Sequence, residues 1–265
     1  MIISIGNGRE YPLLVFVIIL IAVLSTALGS FFNVLISRIP KKQSIVFPGS
    51  HCESCKKSIP FYQNIPIISY LLLGGKCSNC GAKIHWHHLV VEIITPLLFL
   101  GLFFRYGLHD FRFYKYILLC SFLIPIFFID AFHQIIPHVL SIPLLISGVI
   151  LAVIPGNDVG ILNSLLTAAF VFGLLLLLAW AYQKIRGVEG LGGGDIWLLT
   201  ALAVFFGVTG IPYIFLLSAI MGIIYFLIFV KDKRQPFAFG TFIAVAAILW
   251  ALVGEETVFG FLRFL

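Results

Sequence analysis

The sequence predicts an all-α polytopic membrane protein, with about eight transmembrane helices and a small four-cysteine segment after the first of them. Three observations carry that expectation. The 265 residues are 61% hydrophobic and 11% charged, with a mean hydropathy of +1.11, whereas soluble domains carry about 25% charged residues. Apolar stretches near the length needed to cross about 30 Å of hydrocarbon recur from end to end. The runs are continuous, which excludes the alternation of a membrane β-barrel.

Taken in order, the first run extends from Tyr11 to Ile36. It is too long for a signal-peptide core and lacks a preceding basic region, so it is expected to remain as a span. The spans are read at about 12–37, 88–106, 115–131, 138–154, 160–182, 195–209, 211–230 and 236–254. Only Thr209-Gly210-Ile211-Pro212 separates the sixth from the seventh. With connections assigned to alternate sides, twelve of the 17 Lys and Arg residues fall on one side. The positive-inside rule makes that side cytoplasmic and puts both termini outside. Three regions follow: 1–37 as the first transmembrane helix, 38–87 as a cytoplasmic segment, and 88–265 as a seven-helix membrane domain. The net charge of +6 reflects basic loops, and no aromatic–basic pattern suggests a nucleic-acid partner. The expected surroundings are membrane lipid. Oligomeric state leaves no trace in the sequence.

Two aspartates stand out against this background. Asp130 closes the run from Ile117 to Ile129, and Asp195 follows Gly192-Gly193-Gly194 and opens Ile196-Trp197-Leu198-Leu199. A carboxylate inside a bilayer helix costs about 2.5–3.5 kcal/mol on insertion scales, so it is a functional candidate. Both aspartates fall at cytoplasmic helix ends, where two close carboxyl groups can share a proton, activate water and polarise a carbonyl. The alternative is that each merely marks a helix end at the headgroups. The glycines would allow close backbone approach and unusual torsions, or serve only as a hinge. A helix beginning at Asp195 would favour its ionised form through the N-terminal dipole. No G-x-S-x-G occurs, and the cysteines are not spaced for nucleophilic catalysis.

Segment 38–87 carries Cys52-Glu53-Ser54-Cys55 and Cys77-Ser78-Asn79-Cys80, two C-x2-C pairs twenty-one residues apart. The spacing suits a structural, tetrahedral Zn²⁺ site, which would supply the folding energy that so small a core lacks. Two disulfides are the alternative, disfavoured on a reducing cytoplasmic side. His51, His85, His87 and His88 crowd the same segment as possible substitute ligands. Cys120, in an apolar span, reads as a small packed hydrophobe.

In the same order along the chain, Gly29-Ser30-Phe31-Phe32-Asn33-Val34 with Arg38-Ile39-Pro40, Asn64-Ile65-Pro66-Ile67-Ile68-Ser69-Tyr70-Leu71, Gly75-Lys76-Cys77, Val91-Glu92, Asp130 to Pro137, Gly192-Gly193-Gly194-Asp195 and Pro236 to Gly240 together resemble the bacterial type IV prepilin peptidases. These are bifunctional leader peptidase/N-methyltransferases and GxGD-type intramembrane aspartyl proteases. Three positions depart from the family pattern. Trp197 stands where Lys is common, His138 where Asp or Asn is common, and Glu53 where Pro is frequent.

The resemblance implies a bacterial inner-membrane enzyme with Asp130 and Asp195 as its catalytic pair. It would cleave prepilin or pseudopilin leaders at the cytoplasmic face. It would then methylate the new N-terminus with S-adenosylmethionine as co-substrate. Gly75 matches a glycine linked in the family to methyl transfer, and Glu92 could bind the new ammonium group or instead snorkel to the interface. Peptidase-only relatives commonly lack the cysteine segment. A proton-coupled transporter remains a different reading, though no internal repeat is visible.

Overall fold

The computed structural model describes residues 11–188, 190–230 and 237–254. Five of the Lys and Arg residues counted above for orientation (Arg9, Lys231, Lys233, Arg234 and Arg263), and Pro236 of the last motif, lie outside the described residues. Within them the chain is helical: α1 Tyr11–Arg38, α2 Ile68–Leu72, α3 His87–Tyr106, α4 Phe111–His133, α5 His138–Val153, α6 Ile161–Arg186, α7 Gly193–Phe229 and α8 Phe239–Val253. Five helices are long and apolar enough to cross a membrane, and α5 and α8 are shorter apolar helices. The protein is a multi-pass membrane protein, as the composition predicts.

Contacts divide the chain at Gly107 into two compact units. The first unit is built on α1 and α3, which pack along each other. The buried residues of α1 include Ser25, Gly29, Phe32 and Ile36, a single stripe at helical spacing. Gly29 sets the approach: a Cβ there would lie 3.1 Å from Val91 O, Glu92 Cα and Thr95 Oγ1. Small residues allow such backbone proximity between membrane helices. Packing draws the boundary of this unit after α3, at Gly107.

The loop of the first unit is tied down by polar side chains from those helices. Arg38 donates to the carbonyls of Ser44 at 2.9 Å and Gly49 at 3.0 Å. Ile67 N–H donates to Glu92 Oε2 of α3 at 2.7 Å, while Asn33 ties α1 to α3 itself by donating to His88 O at 2.9 Å. Backbone groups that the irregular segment cannot pair internally thus find partners on α1 and α3.

In the second unit, α7 packs on α5, α6 and α8, and α4 packs on α8. The apolar pattern predicts two spans here, broken at 209–212, and the structure moves the break to Gly207. A 37-residue helix would be about 55 Å long, well over one bilayer. Gly207 interrupts it with φ 60° and ψ −166°, a conformation that L side chains rarely adopt. Pro212 tolerates its place near the start of the second limb. The helical bond that would join Val208 N–H to Val204 O is replaced on both sides. Val208 N–H donates to Asn163 Oδ1 at 3.2 Å, and Ser164 Oγ donates to Val204 O at 2.9 Å. A break in a helix leaves backbone groups without their intrahelical partners, and α6 supplies them here. With α7 counted as two limbs, eight apolar limbs result among the described residues.

The doubling back has an independent geometric proof. Gly194 opens α7, and Gly240 lies in the first turn of α8, yet both abut one side chain. A Cβ at Gly194 would be 2.8 Å from Ile136 Cβ, and one at Gly240 would be 2.5 Å from Ile136 Cδ1. The chain leaves Ile136 along α7 and returns to it at the start of α8.

Candidate active site and metal centre

α4 ends in a left-handed Gln134 (φ 55°), whose N–H closes on Asp130 O at 2.8 Å. That cap turns the chain sharply and sends Ile136 toward the two glycines just named. Asp130 itself is 3% exposed. Its Oδ2 accepts two hydrogen bonds from Thr241, one from the backbone N–H at 2.7 Å and one from Oγ1 at 3.0 Å. No sequence signal singles out Thr241 beyond its position after Gly240 at the start of the last apolar run. Ile136 is equally silent.

Asp195 is the third residue of α7, whose N-cap is Gly192. It lies in the first turn and donates its N–H to Gly192 O at 3.0 Å. Its Oδ1 is buried with no hydrogen-bond partner among the described residues. Gly194, the residue before Asp195, abuts Ile136, and so does Gly240, whose Cβ position is 3.0 Å from Asp130 Oδ2. The structure therefore brings the two sequence-predicted carboxyl groups into one helical unit and one neighbourhood.

The glycines before Asp195 serve proximity. Gly192 has φ −65° and ψ 136°, ordinary extended values, and neither Gly193 nor Gly194 has positive φ. The unusual torsions expected of this run are absent because α7 starts at Gly193 and its first residues are simply helical. A Cβ at Gly192 would sit 2.9 Å from Asp195 Oδ2, and Gly194 presses on Ile136, while Gly193 faces open space.

Two of the departures from the family pattern are one contact. The His138 and Trp197 rings meet edge to face at 6.3 Å, and Trp197 also packs on Phe172 at 5.4 Å. The third, Glu53, pairs with Lys41 at 2.7 Å, which holds its carboxyl below the usual range.

The four cysteines converge as their spacing predicts, with all four Sγ atoms within 4.8 Å of one another. The Sγ atoms of Cys52 and Cys80 are 3.8 Å apart, matching the edge of a tetrahedron with Zn–S bonds of about 2.3 Å. Two equivalent knuckles achieve this. Cys52 O accepts from Lys56 N–H and Cys77 O from Gly81 N–H, while Cys52 N–H donates to Lys57 O and Cys77 N–H to Ala82 O. Lys56 and Gly81 both take positive φ, 58° and 69°; only the glycine is conspicuous in the sequence. The amides of Cys55 and then Ser54 pull the Cys52 thiol down to about 6. Cys80 is pushed up to about 11, because partial desolvation and the neighbouring thiols outweigh the favourable Ala82 amide. Four thiolates at this range need a divalent cation to coexist, so the donor set fits zinc. His51 bonds Gly49 O and His85 contacts His87, so the thiols assemble without them. Cys120 is fully buried, as a packed hydrophobe should be.

Gly75 and Glu92 have different neighbours. Gly75 (φ 67°) faces the Tyr70 ring, at 3.0 Å from a Cβ placed there, and its O accepts from Ile84 N–H at 2.8 Å. Glu92 lies on the buried face of α3, where its Oε2 accepts from Ile67 N–H. Beside it, Asn33 Oδ1 is buried without a partner among the described residues. Its orientation is fixed, since Nδ2 must face the His88 carbonyl.

Comparison with known proteins adds the family context. A model described as Bacterial Peptidase A24 N-terminal domain matches residues 23–106, and one described as Type IV leader peptidase family matches residues 117–227. A protein of Dichelobacter nodosus named prepilin leader peptidase/N-methyltransferase is 34% identical, over 90% of this chain and 92% of its own length. Proteins of the same name from Pseudomonas aeruginosa and Neisseria gonorrhoeae are 34% and 31% identical, over 91% and 87% of this chain and 92% and 88% of their own lengths. No solved structure matches.

Proposed function

The chain belongs to the prepilin leader peptidase/N-methyltransferase family and is a prepilin peptidase with methyltransferase activity; from that premise we propose that Asp130 and Asp195 perform the cleavage as an aspartyl pair. One carboxylate takes a proton from water, and the other carboxylic acid donates to the scissile carbonyl oxygen. The supporting observation is that Asp130, buried near the end of α4, and Asp195, in the first turn of α7, gather around one side chain, Ile136, through Gly240 and Gly194, and that Asp195 Oδ1 is buried with no donor among the described residues. Gly192, Gly193 and Gly194 keep the approach to Asp195 narrow in side chains, which suits an extended substrate backbone.

The substrates are prepilins or pseudopilins, whose apolar helix enters the lipid while the leader stays on the cytoplasmic side. The enzyme sits in the bacterial inner membrane with both termini outside and the aspartates facing the cytoplasm. Cys52, Cys55, Cys77 and Cys80 hold a structural zinc ion that orders the loop after α1. Methylation uses S-adenosylmethionine. Glu92 and the acceptor Asn33 Oδ1 suit an incoming ammonium group, and Gly75 shapes the same loop.

Mass spectrometry of a co-expressed prepilin's N-terminus reads both reactions together. Asp130→Asn and Asp195→Asn should abolish cleavage in a protein that still inserts and survives detergent extraction. Normal maturation with either variant refutes the assignment. Gly75→Ser, which forces a side chain onto a positive φ and against Tyr70, should lower methylation far more than cleavage. Equal loss of both defeats the separation of the two activities.

A further inference from the structure

We propose that Thr241 is a positioning residue for cleavage: it locks Oδ2 of Asp130 with two donors and leaves Oδ1 as the oxygen for the reaction. The inference rests on the aspartyl-pair reading above.

Two hydrogen bonds from one residue converge on one oxygen, at 2.7 Å from N–H and 3.0 Å from Oγ1. The Cβ–Cγ torsion of aspartate is broad and roughly two-fold, so a single bond leaves the carboxyl plane loosely defined. Donors from two directions fix it. The backbone donor has a further reason to be there. Thr241 is the third residue of α8, and first-turn amides have no partner within their own helix. The N-cap, Ala238, offers no side-chain bond. Asp130 supplies the missing acceptor from α4, at a helix end that favours an anion.

Gly240 makes the approach possible, since a Cβ there would stand 3.0 Å from Asp130 Oδ2. The glycine clears the space and the threonine fills it with donors. The contrast with the other carboxyl group is plain. Asp195 has a buried Oδ1 with no donor among the described residues. A pair that must divide base and acid roles needs its two members to differ, and Thr241 is the side chain that makes them differ here.

Thr241→Val keeps the shape and the backbone N–H but deletes the hydroxyl; Thr241→Ser keeps both donors and deletes a methyl group. The purified full-length variants should be assayed on a prepilin substrate, with melting temperature in detergent measured alongside. Thr241→Val should lower kcat about tenfold with KM and melting temperature unchanged, and Thr241→Ser should restore near-normal kcat. Wild-type kcat in Thr241→Val, a loss confined to KM, or a serine variant as impaired as the valine one overturns the proposal. If the valine variant does not fold, Thr241→Ala against Thr241→Ser makes the same distinction. Asp130→Asn run in parallel separates the layers. If it still cuts, the aspartyl-pair reading falls; if it is inactive while Thr241→Val is normal, only the role of Thr241 falls.

Discussion

The His138 ring stands edge-on to the Trp197 ring, with centroids 6.3 Å apart and planes at 79°. One residue opens α5 and the other lies two positions after Asp195, so the contact braces the turn that carries a candidate catalytic group. A double-mutant cycle with His138→Ala and Trp197→Ala should be non-additive by about 0.5–1.5 kcal/mol in thermal stability. Additive losses would mean that the two departures from the family pattern are unrelated.

The break in α7 makes a second prediction. Asn163→Ala removes the acceptor of Val208 N–H, and Ser164→Ala removes the donor to Val204 O. Each should cost about 1–2 kcal/mol, read as a lower melting temperature in detergent. Gly207→Ala should cost more. Its Cβ adds a strained positive φ and a 2.6 Å approach to Val159 Cγ1.

Ile136 and Gly240 should behave as partners. Gly240→Ala drives a Cβ to 2.5 Å from Ile136 Cδ1 and 3.0 Å from Asp130 Oδ2, so leader cleavage should fall at least several-fold, a loss above about 1 kcal/mol. Ile136→Ala in the same chain removes the first clash and should return part of that activity. No recovery would locate the damage at Asp130 alone.

Metal content is the fourth prediction. Purified protein should carry a single zinc ion per chain, and Cys77→Ser should lose most of it. Chelation should open residues 39–86 to protease while helical circular dichroism of the membrane spans stays intact. Zinc-free protein with an unchanged digestion pattern would show that the thiols assemble for another reason.

The spans and the thiol cluster were legible because each leaves a composition or spacing signature. Apolar length marks a crossing, and C-x2-C repeated at twenty-one residues marks a tetrahedral site. The reversal in α7 was legible only approximately. Gly210 and Pro212 look like the punctuation, but the torsion that needs glycine belongs to Gly207, and no periodicity distinguishes one glycine from another in an all-apolar run. The division at Gly107 was hidden because close packing of α1 on α3 depends on Gly29 meeting the 91–95 turn, a contact 62 residues distant in sequence. Thr241 could not be read at all. Its importance lies entirely in which oxygen it touches.

Because Ile136 meets Gly194 and Gly240 together, the surroundings of Asp130 include a helix start that the ribosome delivers late. Asp130 precedes Thr241 by 111 residues, about 5–20 s of translation. Throughout that interval a nascent chain holds its first carboxyl group in the bilayer without the helix end that orients it. On the proposed roles of Asp130 and Thr241, a molecule truncated after α7 should cut no prepilin.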